Sequence, residues 1–490
     1  MIIRTGITGT LFEGYHRKDC PNLEYHTTVL NKTNHQYMET TGFYDSATDT
    51  FATYKMDVNR LRYMTAGSKY ENAELISRPV LVGSNMDDFE SNIKLTEIQE
   101  PVMANMLSCK NPEMFVNLPT AVGKTVLSVH YLTFYNKKCI ILCYKKKILD
   151  QWYNTLIDKT TINPRRIQIV KSSKYLVDII EGNISTNDTD IWLITPTLIT
   201  SFCNTYGWNA IQEVFEKCRI GLKIIDEAHR NLATTIKLNA WTSVEKTMYL
   251  SADFNQASYE VRKQFFEVFK TVPVIKLSDD VMKDLKHITA VEFVYNSEPS
   301  IEDIMKVTNG NKAHRYHWDH FGYTKYCMRT GILAENTLRI INQIVQSEAG
   351  MPMEKPYKIL VLTNMIDMVD EMASLIEAQS TGRTVGRYHG RMPKEECANT
   401  PECDIIVSTY QAFSTGIDVT VPNFRHVISM NPVDYITANQ AAGRNRPIEG
   451  LDSYFWMLVD SGFDYCVNNA TKVLKYLSLS RIKQIKRIEG

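Results

Sequence analysis

Apolar positions fall into two regimes along this chain. From residue 95 onward, short apolar runs at 114–118, 139–144, 191–195, 222–225 and 248–251 alternate with longer stretches of helical period. Unbroken apolar runs suit strands covered on both faces, so this alternation predicts a mostly parallel sheet with helices on either side. The rhythm lapses and then returns: 334–347 has helical spacing, and 358–362, 404–408, 426–430 and 454–459 have the strand pattern. Before residue 86 the pattern changes to period two, as in Phe51-Ala52-Thr53-Tyr54-Lys55-Met56, with a turn at 45–49. The expected organisation is an α/β chain: a small accessory domain at 1–85, an α/β domain at 86–285, a connector at 286–335, a second α/β domain at 336–465 and a basic C-terminal helix at 466–490. The linker into the first α/β domain is placed at 83–88, which is polar and glycine-led. In the C-terminal segment Val473, Leu474, Leu477, Ile482 and Ile485 are read as the docking face of one helix, with its basic residues outward.

Composition narrows the picture only a little. The 490 residues are 44% hydrophobic and 22% charged, and no apolar run approaches the roughly 20 residues of a membrane span. Ten cysteines are scattered with no CxxC pair, which predicts reduced thiols in a cytoplasmic, reducing compartment and no zinc site. Net charge is zero, so a polyanion has to be held by a local basic groove rather than by the whole surface. Arg60, Arg62, Tyr63, Lys69 and Tyr70 interleave cations with rings and are a candidate nucleic-acid face of the accessory domain. The stretch 314–326, with His314, His317 and His320 among aromatic residues, is read as an aromatic-basic connector rather than a metal site.

The chemistry centres on Asn117-Leu118-Pro119-Thr120-Ala121-Val122-Gly123-Lys124-Thr125, which follows an apolar run and precedes a helical one. Strand, tight loop, Gly-Lys-Thr, helix is the order that cradles phosphate in backbone N–H groups at a helix N-terminus. Pro119, Thr120, Ala121, Val122 and Gly123 form the cradle, Lys124 reaches the β- and γ-phosphates, and the Thr125 hydroxyl holds Mg²⁺. Leu118 stands where the phosphate-loop pattern has its first glycine. About 100 residues later Ile224-Ile225-Asp226-Glu227-Ala228-His229 ends another apolar run. Asp226 is placed to hold the metal and Glu227 to act as general base toward water. His229 is read as a bridge from the nucleotide site to the second domain.

The ordered set resembles the superfamily 2 helicases and translocases over about residues 93–460. The resemblance implies two RecA-like domains with ATP between them. Thr96-Glu97-Ile98-Gln99 is similar to the family's glutamine motif, implying that Gln99 reads the adenine edge. The segment from Leu142 to Trp152 resembles a motif that meets the nucleic-acid backbone, implying contacts from Lys145 and Gln151; Ile194-Thr195-Pro196-Thr197 implies one from Thr195. Ser251-Ala252-Asp253 stands where the family has Ser-Ala-Thr. In the second half, 359–363 and 408–419 imply nucleic-acid contacts from Thr363 and Thr409, with Gly416 and Asp418 near the nucleotide. Tyr388-His389-Gly390 fits a short turn between them. Gln440-Ala441-Ala442-Gly443-Arg444-Asn445-Arg446 resembles the sixth motif, implying Gln440 at the nucleotide and Arg444 as arginine finger; Arg446 falls one place before the family's second arginine.

Within the superfamily the chain resembles the phage UvsW-type recombination helicases at 117–120 and 407–417, and more loosely the poxvirus transcript-release helicases at 274–279. The first resemblance implies a monomer that unwinds or migrates branched or single-stranded DNA, alongside replication or recombination proteins, in a virus-infected cell. The second implies action on RNA transcripts beside a polymerase. A nucleotide-dependent switch that does not travel is the reading from another class, and the intact set Lys124, Asp226, Glu227 and Arg444 argues against it.

Overall fold

The computed structural model describes residues 1–30, 37–39, 41–119, 122–251, 265–308, 318–349, 356–379, 381–416, 424–445, 448 and 450–490. The chain forms two compact units, Met1–Leu277 and Ser278–Gly490. The first begins with strands β1 (Ile2–Thr5), β2 (Gly9–Glu13), β3 (Thr28–Leu30), β4 (Tyr37–Glu39), β5 (Gly42–Asp45), β6 (Thr50–Tyr54) and β7 (Glu74–Ser77). Five of them make one sheet in the order β5-β6-β2-β1-β7, and β3 pairs with β4 alone. Phe12, Tyr15, Phe51 and Tyr70 fill its small core.

This sheet is not a free-standing accessory domain. It belongs to the same compact unit as the first α/β layer and is pinned to the helix Leu232–Trp241. The Thr8 hydroxyl donates to Asn239 O at 2.9 Å, and Arg78 donates to Ala240 O, Trp241 O and Gln212 Oε1. Gly9 lies so close that a Cβ there would sit 2.5 Å from Ala240 Cα. The proposed nucleic-acid face is largely consumed: Arg60 pairs with Glu267 at 3.0 Å, Lys69 with Asp19 at 2.6 Å, and Tyr70 is buried with its hydroxyl on Glu13 O.

The α/β layer of the first unit holds β8 (Glu113–Asn117), β9 (Cys139–Leu142), β10 (Ile167–Ile169), β11 (Ile191–Ile194), β12 (Leu222–Ile225), β13 (Lys246–Ser251) and β14 (Val274–Lys276). All seven are parallel, in the order β10-β11-β9-β12-β13-β8-β14. Strands β9, β11, β12 and β13 are buried at every residue, which is why they read as unbroken apolar runs. The segment expected as a linker runs extended beside this layer, with bridges Leu81 to Val244, Asn85 to Lys137 and Ser91 to Thr160.

The second unit repeats the plan with β15 (Ile288–Tyr295), β16 (Lys358–Thr363), β17 (Val385–Tyr388), β18 (Ile405–Thr409), β19 (Phe424–Ser429), β20 (Ser453–Asp460) and β21 (Ile482–Glu489). Their order is β17-β18-β16-β19-β20-β15-β21. Counted from the first strand of each sheet, both orders read 3-4-2-5-6-1-7. At the carboxyl end of β15, where the first sheet carries its phosphate loop after β8, the chain reads Asn296-Ser297-Glu298-Pro299-Ser300. There the Ser297 N–H is taken by Asp460 Oδ1 at 3.1 Å, and no Gly-Lys-Thr follows.

Two expectations fail here. The connector at 286–335 is part of the second unit: β15 lies between β20 and β21, and Trp318, Tyr323 and Tyr326 pack in that unit's core, Trp318 stacked on Tyr465 at 4.3 Å. His314 and His317 lie outside the described residues. The C-terminal helix ends early. A helix spans Asp464–Ser480, and the rest is the edge strand β21, parallel to β15. Ile482, Ile485 and Ile488 are spaced by three and imitate a helix face. Pairing with β15 satisfies their backbone groups, and Lys483, Lys486 and Arg487 give the exposed edge the charge that discourages further strand addition. Among the described residues no helix is long and apolar enough to cross a membrane.

Candidate functional site

The first unit's chemistry gathers where β8, β9, β12 and β13 end. After β8 the loop turns at Gly123, whose φ of 92° is a left-handed conformation that side-chain-bearing residues rarely adopt. A Cβ there would also lie 2.6 Å from Gln99 Nε2. The helix Lys124–Tyr135 starts at once, and its N-cap residue Gly123 has no side chain to cap the first N–H groups. Such a start leaves backbone donors for an anion. The Lys124 ammonium rests on Leu118 O at 3.2 Å, and Thr125 follows in the first turn. Leu118 itself is buried, its N–H on Ser251 O at 3.2 Å, so the residue in the place of a glycine serves as a floor.

Gln99 buttresses this loop: Nε2 donates to Val122 O at 2.8 Å and Oε1 accepts from Thr96 N at 3.1 Å. Pro119 accepts the Val122 N–H at 3.3 Å, which closes the turn; Thr120 and Ala121 lie outside the described residues.

Asp226 leaves β12 with its backbone N–H on Leu142 O, and its carboxylate accepts the Trp152 indole N–H at 3.0 Å. Burial, then the neighbouring Glu227, push its carboxyl up to about 6, while Trp152 and Lys124 pull the other way. Glu227 has φ 48° and ψ 51°, left-handed for a residue with a side chain. Its Oε2 is buried and lies 3.2 Å from His229 Nδ1 without a hydrogen bond. His229 Nδ1 bonds Ser251 Oγ at 2.9 Å, while its buried Nε2 has no partner among the described residues. Burial, with Arg230 and Lys124 adding repulsion, holds the imidazole down at about 3, so it is neutral near pH 7. His229 therefore links β12 to β13 within the first unit.

The residues fit Mg²⁺ and a triphosphate. A carboxyl pushed up by burial is what a divalent cation relieves, and two buried polar atoms beside it, Glu227 Oε2 and His229 Nε2, have no hydrogen-bond partner among the described residues. Asp226 and Thr125 would hold the metal, and Gly123 and Lys124 the phosphates.

Three further residues complete the site. Trp152 orients Asp226, and its neighbour Gln151 lies half-buried in the helix Lys146–Lys159. Ser251 positions His229. Arg230 follows the Asp-Glu-Ala-His run, a signal visible in the sequence, and stacks its guanidinium 4.8 Å from the Tyr144 ring, which also carries Lys145 at 5.6 Å. Thr195 caps the helix Pro196–Tyr206 by accepting the Leu198 N–H.

In the second unit the Thr363 hydroxyl is fully buried and donates to Asn431 Oδ1 at 2.9 Å; it braces its own loop instead of facing outward. Asn431 also takes the Asn364 N–H and donates to Thr324 Oγ1. Thr409 accepts the Ala412 N–H at 3.2 Å, and His389 Nε2 lies 3.3 Å from Asp370 Oδ1. Arg444 follows the helix Tyr435–Ala442, which contains Gln440. Its guanidinium donates to Phe413 O at 3.1 Å and lies over the Phe413 ring. Gly416 ends the helix Tyr410–Gly416; Asp418 and Arg446 lie outside the described residues.

Residues 92–265 match the family described as type III restriction enzyme, res subunit, and residues 338–446 match the helicase conserved C-terminal domain. No curated protein matches the chain. Among solved structures, S. cerevisiae Dbp5 bound to RNA and ADP BeF3 is 12% identical, with a TM-score of 0.53 over 81% of this chain and 90% of that one. The ATP-dependent type ISP restriction-modification enzyme LlaBIII bound to DNA is 17% identical, with a TM-score of 0.53 over 82% of this chain and 32% of that one. At these identities the structural likeness establishes fold: two tandem RecA-like domains.

Proposed function

We propose, on the premise that its two matched domains make this chain a superfamily 2 helicase, that it is an ATP-driven motor on DNA that remodels branched substrates. One observation carries the ATPase part of the reading: Lys124, Asp226 and Glu227 converge at the ends of β8 and β12, with the Glu227 and His229 polar atoms buried and unpartnered beside them. Bound Mg²⁺–ATP supplies the γ-phosphoryl group and the cation that draws charge from it. Around it, Gly123 lets the backbone approach the phosphates and Lys124 neutralises them. Thr125 and Asp226 would hold the metal, and Glu227 would take the proton of the attacking water. Neutral His229 leaves that proton to Glu227. The second domain's contribution is Arg444, which we assign to stabilising the transferring phosphoryl group.

The preference for branched DNA is supported by the resemblance at 117–120 and 407–417. Contacts from loops such as those at Lys145 and Thr409 go to phosphate, so binding is expected to be salt-sensitive and indifferent to sequence.

The test compares ATPase rates with single-stranded DNA, forked DNA and RNA, and follows strand displacement on forked DNA. Forked DNA is expected to stimulate most. Stimulation by RNA alone would move the substrate to transcripts. Lys124→Ala and Glu227→Gln are each expected to abolish stimulated turnover, and survival of that turnover in both would overturn the site.

A further inference from the structure

The proposed mechanism gives Lys145 a phosphate contact but leaves Arg230, beside the catalytic turn, without a role. Tyr144 and Lys145 follow β9, and Arg230 follows β12, the strand paired with β9 in parallel. Both cations lie on one ring, the Arg230 guanidinium at 4.8 Å and the Lys145 ammonium at 5.6 Å. Among the described residues neither has a carboxylate within ion-pair reach, and Arg230 is exposed. Burial, then the nearby Arg230 and Lys147, hold the Lys145 ammonium below its usual range. Two like charges set side by side on an aromatic ring repel each other until an anion bridges them.

Arg230 is also tied to the general base. The turn Ala228–Asn231 is a single 3₁₀ turn, and the Arg230 N–H donates to Glu227 O at 2.8 Å. Glu227 at the head of this turn is in the left-handed region with one carboxylate oxygen unpartnered. A strained residue of this kind keeps its conformation only while its surroundings hold it there. A pull on the Arg230 side chain acts on the next backbone link to Glu227.

We propose that Arg230, with Lys145 on the Tyr144 ring, binds a backbone phosphate of the nucleic acid and thereby re-aims Glu227, so that it is the positioning residue through which the track switches on hydrolysis. This rests on the reading of the chain as a nucleic-acid motor and assigns the sensor within it. A lysine at this place keeps the charge but lacks the planar, stackable fork.

The test uses the full chain with oligodeoxythymidine as probe, in wild type, Arg230→Met and Arg230→Lys. Two quantities are read: the slope of log affinity against log salt, and the ATPase kcat with and without saturating DNA. Arg230→Met is expected to lower the slope by about one phosphate contact. It should also cut the DNA-stimulated kcat by roughly tenfold or more. Arg230→Lys should recover the slope and only part of the stimulation. A wild-type slope and stimulation in Arg230→Met overturn the assignment while the motor reading stands. A lowered slope with full stimulation overturns the coupling. An equal loss of kcat with and without DNA, at unchanged slope, makes Arg230 merely structural and also overturns it. A wild-type protein that no polynucleotide stimulates removes both this inference and the motor reading.

Discussion

Raising the pH from neutrality should stabilise the first unit through one residue, Lys223. This lysine lies in β12, three positions before Asp226, and is fully buried. Its ammonium donates to Asn239 Oδ1 at 2.8 Å, Thr242 O at 2.9 Å and Thr242 Oγ1 at 3.0 Å. All three acceptors are neutral. Asn239 in turn donates to the Tyr249 hydroxyl, which donates to the buried Glu113 at 2.6 Å. Burial pulls the Lys223 ammonium from 10.5 down to about 7, with Glu113 opposing. That gap of roughly 3.5 corresponds to about 5 kcal/mol when fully expressed.

The sign follows from proton counting. Below about pH 7 the folded and unfolded chains both hold the proton, and the fold bears the whole cost of the buried charge. Between about 7 and 10.5 the unfolded chain keeps the proton and the folded one loses it, so unfolding becomes harder as pH rises. From pH 7 to about 9 the gain is about 2 kcal/mol. Lys223→Met keeps the length and removes the titration. Chemical denaturation of both proteins, read in first-unit peptides by hydrogen exchange from about pH 6.5 to about 9, should show wild type gaining on the variant by that amount. A difference that stays flat across this range would refute the reasoning, because Lys223 would then hold the same charge folded and unfolded.

Other residues give sharper readouts of the site and the scaffold. Gly123→Ala should abolish nucleotide binding and cost about 1–2 kcal/mol in stability, because its left-handed φ disfavours a Cβ that would also strike Gln99; equilibrium binding of a fluorescent nucleotide checks it. Trp152→Phe keeps a ring but removes the donor to Asp226, and a hydrogen bond to a charged group is worth roughly 1.5–3 kcal/mol. Its kcat/KM for ATP should fall by about tenfold or more, with circular dichroism unchanged. Glu348 is buried in the second unit between Arg383, Arg425 and His426, at 2.8, 2.8 and 3.1 Å. Glu348→Gln should destabilise that unit by about 3–5 kcal/mol in thermal melts while nucleotide binding by the first unit persists.

Much of this is legible in the chain because the central strands are covered on both faces. The runs at 139–144, 222–225 and 358–362 fall on β9, β12 and β16 to within two residues. Edge strands fade for the converse reason: β10 and β14 have three residues each, and β21 alternates isoleucines with charge. β15 was visible as Ile288-Thr289-Ala290-Val291-Glu292-Phe293-Val294-Tyr295, but it follows the first sheet so closely that it reads as a connector. The phosphate loop and the Asp226-Glu227 pair announce themselves because their chemistry depends on neighbours in sequence. Trp152 and Asn431 do not, because each meets its partner across 74 and 68 residues of chain, and only the topology sets those meetings.

The seam between the N-terminal sheet and the helix Leu232–Trp241 has a practical corollary. Arg78, Thr8 and the Gly9 backbone stitch the two together by direct contact with main-chain atoms, and Tyr54 adds a bond to Glu267. Cutting the chain back to begin near the phosphate loop would open a raw face over the helix that lies against Lys223, so a minimal fragment designed from motif boundaries alone should misfold or clump. The leading sheet moves with the nucleotide half as one body and not as a tethered arm.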